Sequence, residues 1–192
     1  MKKLLLLVGL LLATPALADT YDNDPWRVSI YGGIATRNDT SQLFLHGHFH
    51  PDGNQIGVSL DRDIFQLGER WHLVGELGAT RFMYKSHEAS VELGLGLRYD
   101  MHIFGDPFSI SGFTGPSWAD GEPVISTGTF HGVPINFQKN PWLNYVGAEF
   151  ALQIAPQWNA IARYYHRSGA FGLFEPQADE GSTLGFGLQY KF

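Results

Sequence analysis

The stretch "STLGFGLQYKF", residues 182–192, sets Leu184, Phe186, Leu188, Tyr190 and Phe192 at alternate positions, with Thr183, Gly185, Gly187, Gln189 and Lys191 between them. Side chains along a β-strand point to opposite faces with a period of two. The segment therefore reads as a strand with one apolar face and one small or polar face. A water-soluble sandwich carries the same alternation, so the remainder of the chain has to decide the setting.

Working backwards, the pattern recurs. "QWNAIARYYHRS" (157–168) and "NYVGAEFALQI" (144–154) precede the last strand, the latter with Val146, Ala148, Phe150, Leu152 and Ile154 opposite Glu149 and Gln153. "PFSISGFTGPSWA" (107–119) alternates more weakly, whereas "SVELGLGLRYDM" (90–101) is regular, with Val91, Leu93, Leu95, Leu97 and Tyr99 opposite Glu92, Gly94, Gly96 and Arg98. "RWHLVGELGATRF" (70–82), "NQIGVSLDRDIF" (54–65, the end of a longer strand starting near Ser41) and "WRVSIYGGIATR" (26–37) complete a set of eight. An even strand count is what a single-chain bacterial outer-membrane barrel requires.

The N-terminus points the same way. "MKKLLLLVGLLLATPALA" has two lysines, an apolar run and a small-residue end at Ala16-Leu17-Ala18, which reads as a signal peptide over 1–18. Residues 19–192 are then one exported domain, rich in glycine (23 in the chain) and aromatic residues (14%) and poor in charge (17%). The chain has no cysteine, which excludes a disulfide framework, a lipidated cysteine and thiolate catalysis. Its net charge of −6 gives no hint of nucleic acid as a partner. The ending on Phe192 resembles the C-terminal signature of outer-membrane proteins. The fold class expected is all-β: an eight-stranded antiparallel transmembrane barrel, located in the bacterial outer membrane.

Eight strands enclose an interior that side chains fill, so no pore is expected. Glu76, Glu92, Arg98, Glu149 and Arg163 are expected to form one internal charge cluster. Short turns at "FGDP" and "IAPQ" would face the periplasm, and the long segment 120–140 the exterior.

The chemistry, if any, lies in "ARYYHRSGAFGLFEP" (162–176). Asn159 and Arg163 belong in the lumen, because a charge on the lipid face costs about 2–4 kcal/mol at the midplane. Trp158, Ala160, Ala162, Tyr164, His166 and Ser168 then face outward, and His166 and Ser168 lie near the outer end. An i, i+2 pair is separated by about 7 Å of backbone, within side-chain reach. One reading makes them solvated interfacial residues. The other makes His166 the base that activates Ser168 against a lipid ester, with a third group orienting the imidazole. By parity on the last strand that group is Glu180, with Asp179 and Glu175 as alternatives.

"YYHRSGAFGLFEPQADEG" resembles the signature of the outer-membrane lipid A 3-O-deacylases, the PagL-like group, and "NYVGAEFALQIAPQWNAIARYYH" resembles the hairpin before it. The resemblance covers roughly residues 140–192 and is architectural elsewhere. It implies an esterase acting on lipid A or lipopolysaccharide, with His166, Ser168 and Glu180 catalytic and neither metal nor other cofactor. Gly169 and Ala170 would supply oxyanion-hole N–H groups. The chain departs from the family at three points. Gly169 and Gln177 stand where asparagines are usual, and the acid precedes Gly181 instead of following it, where Ser182 and Thr183 stand.

Arg167 is a rim candidate for headgroup phosphates, and Tyr164, Ala162 and Leu184 for acyl contact. His46, His48 and His50 share a strand face, the spacing of a metal site or of a solvated strand end beside the "PDGN" turn. The rival function is a small structural or adhesion barrel without chemistry; a soluble periplasmic ligand-binding barrel is a third. A homodimer is left open.

Overall fold

The computed structural model describes residues 26–36, 51–83, 88–103, 106–120, 128–130, 133–135, 141–168 and 179–192. Ten strands are present among them. They are β1 (Trp26–Thr36), β2 (Pro51–Gln66), β3 (Trp71–Met83), β4 (Ala89–Ile103), β5 (Asp106–Ala119), β6 (Gly128–Phe130), β7 (Val133–Ile135), β8 (Trp142–Ala155), β9 (Trp158–Ser168) and β10 (Asp179–Lys191). Eight of them close a barrel in the order β1-β10-β9-β8-β5-β4-β3-β2, and every neighbouring pair is antiparallel. Closure leaves no sheet edge unpaired, which a bilayer demands of a β-structure.

The wall is inverted relative to a water-soluble fold. Its outer face carries Val28, Ile30, Val58, Leu95, Phe150, Ile154 and Leu188, all exposed, and Phe186 is 74% exposed. Its inner face carries the polar and charged residues, among them Ser29, Thr80, Glu92, Asn159 and Gln189, all buried. Such a surface is stable only against hydrocarbon. The architecture is therefore a transmembrane barrel of the outer-membrane type.

Arg163 on β9 is the hub of the lumen. Its guanidinium donates to Glu149 Oε2 at 3.0 Å, to Ser59 Oγ at 3.3 Å, to Tyr145 Oη at 2.6 Å and to Glu76. Tyr145 in turn donates to Glu76 Oε1 at 2.7 Å, and Gln189 to Glu149 Oε1 at 2.9 Å. The rings of Tyr31 and Phe113 flank the cation at 4.9 and 5.6 Å. Glycines make room for this packing: a Cβ on Gly147 would lie 2.0 Å from Tyr145 Oη, and one on Gly57 would lie 2.4 Å from the Tyr31 ring.

Side chains pack the lumen around Arg163, but its charges do not form the single cluster that face parity predicts. Glu76 and Glu149 gather on Arg163, and Glu92 accepts from Tyr165 at 2.8 Å and from Ser90. Arg98 belongs to a separate group. It binds both oxygens of Asp63 at 2.8 Å and donates through Nε to Asp100 at 2.8 Å, while Arg27 reaches Asp63 at 2.7 Å and His72 Nε2 lies 3.0 Å from Asp100. The reason is distance along β4. Arg98 is six residues from Glu92, about 20 Å at strand rise, so the same face reaches two different levels of the barrel.

The links between barrel strands alternate in length. Residues 67–70, 104–105 and 156–157 join strands at the end that also carries Trp26 and Phe192, while longer segments join them at the other. The short two-stranded sheet β6–β7 lies within the long segment 120–140 and was not foreseen from the sequence. Residues 1–18 and the His46, His48 and His50 run fall outside the described residues.

Candidate functional site

β9 alternates as its sequence requires. Asn159, Ile161, Arg163, Tyr165 and Arg167 are buried toward the lumen, and Trp158 at the short-turn end of the opposite face is exposed. Towards the long-loop end, however, that outer face is no longer open. His166 and Tyr164 are each 9% exposed and Ser182, across from them on β10, is 1% exposed. A stretch of outer wall that parity alone assigns to lipid is thus enclosed and polar.

The register of the last hairpin explains the grouping. Tyr190 pairs with Trp158, and the pairing runs regularly up to Leu184 with Tyr164, Thr183 with Tyr165 and Ser182 with His166. A bulge follows, after which Asp179 pairs with Ser168. Two β10 residues, Glu180 and Gly181, therefore oppose the single Arg167, the two-against-one arrangement of a β-bulge, which often sits beside functional groups. Strand alternation is interrupted there, so parity does not set the direction of Glu180.

Within this patch His166 Nδ1 lies 3.2 Å from Ser182 Oγ, and Ser182 Oγ lies 3.0 Å from Tyr164 Oη. The Tyr164 and His166 rings stack with an interplanar angle of 9° and centroids 6.3 Å apart. Ser168 is half-buried one position further along the same face. Across β8–β9 it pairs with Asn144, whose amide exchanges hydrogen bonds with Thr114 at 3.3–3.4 Å on the same outer wall. Asn144 and Thr114 thus extend the polar patch on the side of Ser168 away from β10.

The residues expected from sequence are distributed as follows. His166 and Ser168 share the outer face near the long-loop end of the barrel. The backbones of Glu180 and Asp179 lie in and beside the bulge, their side chains outside the described residues. Gly169, Ala170 and Glu175 also fall outside them. Arg167 is not at the rim. It is 1% exposed, points inward with the odd residues of β9 and donates to Glu88 and to the Pro141 carbonyl. The strand continues past it to Ser168, so alternation still holds at 167 and turns the cation away from any lipid headgroup.

Two polar neighbours of the pair are not apparent within any single segment. Ser182 is not a carboxylate, but the register of a regular hairpin implies its place: 158 and 190 pair, so 166 pairs with 182. Asn144 was missed because nothing within β8 links it to Ser168; only the β8–β9 register does. Among the described residues no group of His, Cys, Asp and Glu is placed to hold a metal ion.

No family model matches the chain, and no curated protein sequence matches it. Solved structures do. The outer membrane enzyme PagL aligns with a TM-score of 0.58 at 15% identity, covering 86% of this chain and 98% of that one. Neisserial surface protein A aligns at 0.53 and 10%, covering 90% and 100%. The N-terminal β-barrel domain of Pseudomonas aeruginosa OprF aligns at 0.51 and 12%, covering 88% and 98%. At these identities the likeness is one of fold: the chain is built as small outer-membrane barrels are built.

Proposed function

We propose that this barrel is an outer-membrane serine esterase that removes the ester-linked 3-O-acyl chain of lipid A. The observation that carries the reading is the enclosed polar patch on the outer wall, where His166 is held by Ser182 and Ser168 follows two residues further along the same strand face. A histidine held by a hydroxyl on a lipid-facing wall has a cost in desolvation that a merely structural barrel has no need to meet. The resemblance of residues 140–192 to the lipid A deacylases supplies the substrate class.

In this reading Ser168 Oγ attacks the ester carbonyl carbon while His166 takes the hydroxyl proton. The tetrahedral intermediate collapses, the C–O bond to the sugar breaks, and His166 returns its proton to the departing sugar oxygen. Water then attacks the acyl-enzyme, again deprotonated by His166, and the fatty acid leaves as Ser168 regains its proton. The oxyanion would be met by backbone N–H groups at Gly169 and Ala170, each donor worth about 10²–10³ in rate. Asn144, paired across from Ser168, is an additional amide donor on the same face. The resemblance assigns Glu180 as the acidic third member, with Asp179 and Glu175 as alternatives. Acyl chains would lie against Tyr164, Ala162 and Leu184, so the substrate reacts without leaving its leaflet. All these groups belong to one chain, and a homodimer is not needed for the chemistry.

The test is mass spectrometry of lipid A from cells producing the intact protein or its Ser168→Ala variant. Loss of one hydroxyacyl chain with the former and not the latter is expected. A second reading, a structural or adhesion barrel, draws on the departures at Gly169, Gln177 and Ser182. It predicts unchanged lipid A in both strains at equal outer-membrane levels.

A further inference from the structure

The third member of the site is the point at which the chain leaves its family pattern, and the geometry there is specific. His166 Nδ1 is 3.2 Å from Ser182 Oγ, the hydroxyl is 3.0 Å from Tyr164 Oη, and Ser182 is 1% exposed. A base that accepts a proton through Nε2 must carry its own proton on Nδ1, and something has to accept that proton to keep the ring in this tautomer. A serine oxygen has lone pairs to do so, provided its own hydrogen is engaged elsewhere. Tyr164 Oη is in position to take it.

We infer that Ser182, held in turn by Tyr164, is the positioning residue for His166, so that a neutral hydroxyl relay stands where the resemblance calls for an acid. This deepens the deacylase reading and replaces its acidic third member. In the proposed relay Nδ1–H donates to Ser182 Oγ over 3.2 Å, and Ser182 Oγ–H donates to Tyr164 Oη over 3.0 Å. With its proton on Nδ1, the His166 ring has an unprotonated Nε2, the state a general base requires. The Tyr164 ring lies 9° from parallel with the imidazole, centroids 6.3 Å apart, beside the same hydroxyl.

The local fold favours the hydroxyl. The bulge of Glu180 and Gly181 brings Ser182 into direct register with His166 and displaces the acidic residues by at least one position toward the loop. A carboxylate at position 182 would have to be buried beside an outer wall that contacts lipid, at a desolvation cost a serine avoids. The consequence for catalysis is a site with the correct tautomer but without a negative charge to stabilise the imidazolium. It should be a slower esterase than one with an acid in that place.

The experiment uses the full mature chain, folded in detergent micelles with ¹⁵N-labelled histidine, His166 being assigned by the signals lost in His166→Gln. Ring nitrogen shifts report which nitrogen bears the proton. Rates on a p-nitrophenyl acyl ester and on lipid A report kcat and KM separately. Wild type is expected to hold the proton on Nδ1. Ser182→Ala should move His166 to a mixed tautomer population and lower kcat about 10²-fold with KM little changed. Ser182→Thr, which keeps the hydroxyl, should restore both, and heat-modifiable gel migration checks that each variant is a folded barrel. The inference is overturned if Ser182→Ala retains the wild-type tautomer and kcat, or if Glu180→Gln produces the losses instead. Should wild type hydrolyse neither ester, the deacylase reading fails while the tautomer comparison still decides the role of Ser182.

Discussion

Arg163 holds more of the lumen together than any other side chain described here. Its guanidinium meets Glu76, Glu149, Tyr145 and Ser59 and lies over the rings of Tyr31 and Phe113. Removing one partner of a buried ion pair leaves the others uncompensated, at about 3–5 kcal/mol. Arg163→Met should therefore lower the urea unfolding free energy in lipid vesicles by about that amount, and a loss under 1 kcal/mol would mean that water or neighbouring donors replace the cation. Gly147→Ala tests the same network sterically. Its Cβ would fall 2.0 Å from Tyr145 Oη and push the ring from Glu76 and Arg163, costing about 1–3 kcal/mol by the same measurement. At this scale the placing of His166 and Ser168 on one outward strand face was legible, because a His-x-Ser pair is a pattern within a single segment. The contact of Ser182 with His166 was not, because it depends on which residue of the neighbouring strand Ser182 meets. Arg167 was misplaced at the rim for a related reason: whether a terminal residue still alternates depends on where the strand ends.

Among the elements, the strands themselves were readable almost to their bounds, since period-two alternation with a clean apolar face leaves little choice of type. β8 was expected over 144–154 and spans Trp142–Ala155; β9 was expected over 157–168 and spans Trp158–Ser168. What alternation does not convey is stagger. The division of the internal charges into an Arg163 level and an Arg98 level, the bulge at Glu180 and Gly181, and the β6–β7 hairpin all follow from register or loop geometry, which no single segment encodes. The outer face of β10 offers an independent check of orientation. Phe186 is 74% exposed at the middle of the strand, so Phe186→Arg should cost about 2–4 kcal/mol of stability in a bilayer. Leu184→Arg, closer to the enclosed patch and the interface, should cost less. Equal penalties at the two positions would argue that the depth assignment is wrong.

For the whole molecule, closure through β1 and β10 makes a barrel whose described interior is occupied by hydrogen-bonded side chains. Purified protein in a planar lipid bilayer should accordingly give no steady ion conductance; open-channel steps of porin size would contradict the packing. The filled lumen also separates two tasks. Stability is concentrated inside, on Arg163 and its partners, whereas the polar patch of His166, Ser182, Tyr164, Ser168 and Asn144 lies on the opposite surface of the same wall.

The enclosure of that patch on the lipid side has a kinetic corollary. On the proposed esterase reading, a lipid substrate reaches His166 and Ser168 by lateral diffusion within one leaflet, so the governing quantity is its mole fraction there and not its concentration in the bulk. Adding inert phospholipid at constant total substrate should slow turnover by surface dilution. A water-soluble compound will compete at the site only to the extent that it first partitions into the membrane.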